Sequence, residues 1–160
     1  MIGIKLVCVG KMREKYFTDA FEEYRKRLGA YCRFELTELP EERLPESPSA
    51  NEISKALSEE GEKILKVIPK GSYVVAMCVE GRQIPSEKLA EILRERESSG
   101  KPKMCFIIGG SFGLSNEVKA ASDLRLSMSE MTFPHHLARV MLAEQIYRGF
   151  KINEGSAYHK

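Results

Sequence analysis

Five short apolar runs, alternating with stretches of helical hydrophobic spacing, constrain this chain more than any other feature. The runs cover residues 2–9, 34–39, 72–79, 104–108 and 124–128. Each is strand-length and bounded by glycine, proline or charged residues. The first amphipathic stretch, 14–28, carries Phe17, Ala20, Phe21, Tyr24 and Leu28 on one side and Glu22, Glu23, Arg25, Lys26 and Arg27 on the other. Strands separated by helices imply βαβ units, so the expected fold is α/β with a mostly parallel sheet and helices on both faces. No repeat or linker divides the 160 residues, and the expectation is one domain, 1–160.

Local signals place the element ends. Gly29 stops the first helix. Residues 40–48 form a proline-rich loop, and Ser49 with Glu52 matches a capping box. The helix it opens should turn Ile53, Leu57, Ile64 and Leu65 inward, with Gly61 a mild cost and Pro69 the stop. Glu80, Gly81 and Arg82 are expected to turn the chain. Pro85 and Ser86 start a helix carrying Leu89, Ile92 and Leu93. A short helix is expected over 116–122. The last helix is expected over 135–150, with Leu137, Val140, Met141, Tyr147 and Phe150 as its apolar side. The polar tail, 151–160, has the composition of a flexible end.

Composition narrows the function. Hydrophobic residues are 42% and charged residues 30%, the balance of a globular domain and not of a disordered one. No run is long enough to span a membrane, and the first residues lack the pattern of a signal peptide. Cys8, Cys32, Cys78 and Cys105 form no C-x-x-C pair, so no metal is expected; reduced thiols and a cytoplasmic location are. The net charge of +2 makes no case for nucleic acid by itself.

In open parallel sheets, ligands bind beyond the carboxyl ends of the strands. Three strand exits qualify: after Val79, after Ile108 and after Met128. At the second, Gly109, Gly110 and Gly113 permit close approach of backbone to a ligand. A plain tight turn stands equally open there. The spacing is not G-x-G-x-x-G, and no Walker A lysine follows, which disfavours a dinucleotide or triphosphate. At the third, Met128, Ser129, Glu130, Met131, Thr132 and Phe133 form a mixed apolar and polar loop before Pro134 restarts the chain. Its methionines and phenylalanine suit an adenine slot or an ordinary core under a loop. His135 and His136 fall in a first helical turn, where a neutral imidazole can position a substrate or take a proton. His135 and Arg139 share a helix face, as do Glu144 and Arg148. Tyr158, His159 and Lys160 end the chain with groups suited to stacking, titration and phosphate contact.

Taken together, Val9-Gly10-Lys11-Met12, the block from Phe106 through Gly109 to Leu114, Met131-Thr132-Phe133-Pro134-His135 with Arg139-Val140, and the ending Tyr158-His159 resemble one family over the whole chain. It is the ribosomal RNA large subunit methyltransferase H family of the SPOUT superfamily. The resemblance implies a Rossmann-like sheet with a deep C-terminal trefoil knot, which general topology rules treat as an exception. It implies S-adenosyl-L-methionine as cofactor, a homodimer, and methylation of N3 of a pseudouridine in 23S rRNA within the ribosome. Carried to matching positions, the cofactor pocket uses Met77, Gly109, Met128, Ser129, Glu130, Met131, Thr132 and Phe133. The catalytic side uses His135, Arg139, Tyr158 and His159, with the tail completing the partner's site. Basic residues for RNA gather between Lys11 and Arg33, and again from Arg139 to Lys160. Methylation of another RNA, nucleotide binding without catalysis, and cysteine-dependent hydrolysis are the competing readings; no cysteine lies in an evident loop beside a histidine, which counts against the last.

Overall fold

The structure is a computed structural model that describes residues 1–100 and 102–160. Five strands alternate with five helices: β1 (Ile2–Val9), α1 (Lys15–Leu28), β2 (Cys32–Leu39), α2 (Ala50–Val67), β3 (Tyr73–Arg82), α3 (Ser86–Glu97), β4 (Lys103–Ile108), α4 (Asn116–Ala121), β5 (Leu124–Leu126) and α5 (His135–Asn153). All strand pairs are parallel, in the order β2-β1-β4-β3-β5. The chain returns past β1 to lay β3 on the other side and then threads β4 between them.

Alternate residues of each strand serve the two faces. Ile2, Ile4, Leu6 and Cys8 of β1 join Met104, Phe106 and Ile108 of β4 in a core shared with α1, α3 and α5. Val7, Val9, Cys105 and Ile107 face the other way, toward Ile64 of α2 and Val118 of α4. The parallel, doubly covered sheet is thus as expected from the pattern.

Several boundaries and faces differ from the sequence reading. β2 starts at Cys32, two residues early, and β5 ends at Leu126, short of Met128. Glu80, Gly81 and Arg82 do not turn the chain; they continue β3 with a register shift between Met77 and Arg82. Gly81 makes this possible, since a Cβ there would lie 2.8 Å from the backbone of Arg125. In α2 the buried stripe is Ala56, Glu60, Gly61 and Ile64, while Leu65 is exposed. Gly61 is a packing requirement and not merely a helix cost: a Cβ would sit 2.4 Å from Ser115 Oγ, the hydroxyl that caps α4.

The largest revision concerns α5. It continues to Asn153 and buries Arg139, Leu142, Ala143, Ile146, Gly149 and Phe150. Of the side chains expected as its core side, Phe150 is buried and Val140 and Tyr147 are half-buried but packed against the core, while Leu137 and Met141 are half-buried and lie outside it. The rotation has two physical causes. Gly149 lets α5 approach α3, where a Cβ would meet Leu93 Cδ1 at 2.5 Å. Arg139 is 1% exposed; its guanidinium donates to Glu38 Oε2 at 2.7 Å and to the Gly10 carbonyl at 3.2 Å. The tail is also not a free end. Tyr158 packs edge-on to Tyr147 and donates to Glu144, while His159 lies between Arg148 and Glu87.

Glu38 also accepts the Met12 N–H at 3.0 Å. Burial works to raise the Glu38 carboxyl, but the bonds from Arg139 and Met12 and the Arg139 charge outweigh it and hold it below the usual carboxylate range. Its contribution is therefore present above the unfolded carboxylate value of roughly 4.3 and is lost as pH falls through the folded value. Glu38→Gln should cost about 2 kcal/mol at neutral pH, less than a fully buried pair because Glu38 is partly exposed. In urea unfolding at a series of pH values, the gap between wild type and variant should close in acid; a constant gap would deny the pair this role. Gly61→Ala, which gains about 1 kcal/mol in an ordinary helix interior, should instead lower the unfolding midpoint, because its methyl meets Ser115.

Candidate active site

The exits of β3, β4 and β5 converge on a cavity of about 700 Å³ at the carboxyl end of the sheet. That volume is in the range of small-molecule sites. Met77, Cys78, Val79 and Glu80 line it from β3, residues 108–114 from the β4 exit, and Leu126, Met128, Ser129 and residues 131–134 from the β5 exit. His135 and Ala138 close it from the first turn of α5. Of the eight residues expected to hold the cofactor, seven line this cavity. Glu130 lies in the same loop but is exposed and outside the lining.

The glycine loop folds back on itself. The Gly113 N–H donates to the Gly110 carbonyl at 3.1 Å, and Gly113 has φ of +84°, open to glycine without strain. A Cβ on Gly109 would lie 2.2 Å from the Gly113 carbonyl oxygen. Gly109 is thus demanded by the loop's own closure before any ligand is considered, which bears out the tight-turn reading. Glu41 Oε1 accepts the Ser111 N–H at 3.1 Å and fastens the loop to the exit of β2. Sequence inspection passed over Glu41, because it stands in a proline-rich segment with other carboxylates.

The β5 loop is shaped by two serines. Ser127 Oγ donates to the Ser129 carbonyl at 2.9 Å, and Ser129 Oγ accepts the Met131 N–H at 3.1 Å. These local bonds replace strand pairing. They leave Met131 73% exposed; Phe112, on the facing loop, is 49% exposed. Both are thus large apolar side chains held open beside the cavity.

The electrostatics are quiet. Glu80 and Lys119 pair across one wall, and the Lys119 bond holds the Glu80 carboxyl below its usual range. Burial, with the charge of His136, lowers the pKa of His135, so its imidazole is neutral at neutral pH. His136 instead bonds Glu14 at 3.0 Å. No unpaired ammonium or guanidinium faces the cavity among the described lining residues. Cys78 lines the wall with its thiol pKa raised by burial, and burial pushes Cys8, Cys32 and Cys105 up to about 12. Such thiols are poor nucleophiles. Among the described residues no group of three His, Cys, Asp or Glu side chains is placed to hold a metal, and no helix is long and apolar enough to cross a membrane.

The residues expected on the catalytic side fall into two groups. His135 touches the cavity, and Arg139 lies one turn further on, committed to Glu38 and Gly10. Tyr158 and His159 are tied to Glu144, Arg148 and Glu87. From His135 to Arg148 along α5 is about 20 Å. The chain's own tail therefore ends at the far end of the helix that opens at its own cavity.

Comparison with known proteins agrees with this geometry. Residues 2–159 match the family model described as Predicted SPOUT methyltransferase. The chain is 46% identical over 159 residues to the ribosomal RNA large subunit methyltransferase H of Clostridioides difficile (strain 630), covering 99% of this chain and 100% of that protein. Identity and coverage are the same for the protein of that name from Clostridium beijerinckii. Among solved structures, a probable methyltransferase from Bordetella pertussis Tohama I superposes with a TM-score of 0.59 at 13% identity, covering 91% of this chain and 93% of that one. The tRNA (m1G37) methyltransferase of Aquifex aeolicus gives 0.53 at 13% identity, covering 91% and 69%. At such identities these structures speak for the fold, while the sequence relatives carry the assignment: this chain belongs to the SPOUT methyltransferases and, within them, to the ribosomal RNA large subunit methyltransferase H family.

Proposed function

We propose that this protein transfers a methyl group from S-adenosyl-L-methionine to N3 of a pseudouridine in large-subunit 23S rRNA, acting as a cytoplasmic homodimer with a knotted C-terminal backbone, one domain throughout. The observation that carries the reading is the meeting of three strand exits and the neutral His135 around one cavity, in a chain of this family. Relatives that match it end to end are named for large-subunit rRNA.

The cavity suits an adenosyl sulfonium. Met77, Leu126, Met128 and Leu114 supply apolar walls for a purine, and the backbone of the Gly109 loop supplies polar groups at short range. A cationic sulfur is tolerated because Lys119 is neutralised by Glu80 and His135 carries no charge. Bound there, the cofactor would supply an activated methyl group. The chain's part is to align the attacking nitrogen and exclude water. His135 is placed to take or relay the N3 proton, and Arg139, held by Glu38, is a positioning residue that fixes the first turn of α5 beneath it.

The dimer reading draws support from α5. Leu137 and Met141 are half-buried apolar side chains beside the site, surface that a second copy would cover. An antiparallel partner α5 would bring the partner's Tyr158 and His159, at one end of its helix, to this chain's His135 at the other.

The decisive experiment incubates the protein with methyl-labelled cofactor and ribosomes lacking the modification, then maps the labelled nucleotide. Label at N3 of a pseudouridine in 23S rRNA is expected; label elsewhere would favour the reading of another RNA. By calorimetry the wild type should bind S-adenosyl-L-methionine, and Met128→Ala should weaken binding about tenfold, the loss of roughly 1.4 kcal/mol of apolar contact. No binding by the wild type would overturn the assignment. Truncation after Ala157 removes the bond to Glu144 and the edge-on contact with Tyr147. It should cost about 1 kcal/mol of stability, leave cofactor binding intact and abolish transfer; full turnover by the truncated protein would contradict the tail's role.

A further inference from the structure

The sheet has a second concavity at its opposite end. It measures about 360 Å³; Gly3 and Lys5 of β1, Arg33 and Glu35 of β2 and Lys103 of β4 line it, together with Ile4, Phe34, Met104 and, at one side, Pro69. Strand register explains its shape. Arg33, Gly3 and Lys103 are directly paired across three neighbouring strands, and Glu35, Lys5 and Cys105 form the next row. All six belong to the face that α2 and α4 cover further along, where Val7, Val9 and Ile107 meet Ile64 and Val118. Arg33, Glu35 and Lys103 are exposed there, while Cys105 in the second row is buried in that core.

Gly3 makes the floor. A Cβ built there would come no nearer than 4.0 Å to another atom, so space and not crowding surrounds it. With strands about 4.8 Å apart, the Cα atoms of Arg33 and Lys103 stand about 10 Å apart across that floor. Lys5, its side chain 15% exposed, projects from the next row and is met by Glu35 at 3.3 Å. Among the described lining residues there are three cations and one carboxylate, and the carboxylate is already engaged. On these two rows the side chains that reach the surface are charged, with Cys105 buried among them, so the face is a poor seat for the apolar side of a protein helix. A slot flanked by two exposed cations, with a third behind, complements a run of phosphates.

We propose that this groove is a second RNA-binding surface, gripping the phosphate backbone of large-subunit rRNA at the end of the sheet remote from methyl transfer. The inference rests on the rRNA reading above and extends it. The eight residues of β1 span about 26 Å, so the contact falls roughly one helical turn of RNA away from the reacting nucleotide. Its chemistry is sequence-blind: it supplies hold and register, while the cavity at the other end supplies selection.

The test uses Arg33→Glu with Lys103→Glu, and separately Arg33→Gln with Lys103→Gln, in the full-length protein. Both sites are exposed strand positions outside the cavity and outside α5. Binding to 23S rRNA is measured over a range of salt, with cofactor titration, chromatographic size and thermal unfolding alongside. The Glu pair should weaken RNA binding at least tenfold, and the Gln pair less. Both should lower the magnitude of the log–log salt slope by about 1.5, near two phosphate contacts. In turnover the KM for RNA should rise while kcat and cofactor affinity stay put. Unchanged RNA affinity and salt slope in folded variants would overturn the groove while leaving the methyltransferase reading intact. A change of oligomeric state without loss of RNA affinity would also overturn it, by making this face a contact between copies. Wild-type protein that binds cofactor but no rRNA would remove both readings together.

Discussion

Arg139 is the residue on which the arrangement of the site turns. It is the largest fully buried side chain, and it reaches from the second turn of α5 to the carboxylate of Glu38 and the carbonyl of Gly10. One guanidinium therefore joins the last helix to the exits of the first two strands. A buried ion pair of this sort adds little to net stability, since desolvation offsets most of its Coulomb energy. Its value lies in geometry. Removing Glu38 would leave the Arg139 charge in the interior, so alternatives in which α5 slides or rotates away from it are penalised. With α5 locked, His135 must face the cavity, and Leu137 and Met141 must stay toward the surface.

Around that lock, carboxylates from the β2 exit work as staples. Glu38 holds Met12, Glu41 holds Ser111, and Glu42 pairs with Lys63 at 2.7 Å while its own N–H donates to Glu60. Glu60 is buried in α2, and burial raises its pKa. The segment thus ties the exits of β1 and β4 and helix α2 to the exit of β2 by three bonds between side chain and backbone and one ion pair. The glycine loop inherits its position from this framework. Gly110 tolerates the approach of Glu41, since a Cβ there would fall 2.7 Å from Oε1. The paired glycines and the carboxylate facing them form one mechanical part.

The sheet, its direction and its doubly covered core were legible because they depend on periodicity, which a sequence carries locally. Seven of eight proposed pocket residues fell together for a related reason: strand exits are easy to locate, and in a parallel sheet they all point one way. What escaped was set by contacts distant in sequence. The facing of α5 depends on Glu38, 101 residues away, so Leu137 and Met141 looked like core from spacing alone. Gly81 resembled a turn because its partner, Arg125 on β5, is invisible in the local string. The tail looked free because Tyr158 and His159 find their partners on α5 and α3. The family resemblance, carried by short blocks in order, supplied the activity that periodicity alone left open.

The two ends of the sheet divide the chemistry that a methyl donor and an RNA each require. At the carboxyl end, glycines and local serine bonds free the backbone, apolar side chains line the walls, and the charges present are paired or switched off by burial. A cationic sulfonium can rest there because no cation opposes it. At the amino end the same strands carry Arg33, Lys5 and Lys103 around a glycine floor. On the proposed reading, phosphates flanking the target would be drawn to that end, while the neutral end admits the reacting base. Had the cations been placed beside the cavity, they would have raised the local potential against the cofactor they need. Separation by the length of β1, about 26 Å, exceeds the Debye length of roughly 8 Å at physiological salt. On the proposed function, the strands act as spacers as well as core: one small α/β unit with a net charge of only +2 would grip flanking phosphates at one end while the reacting nucleotide enters the neutral end.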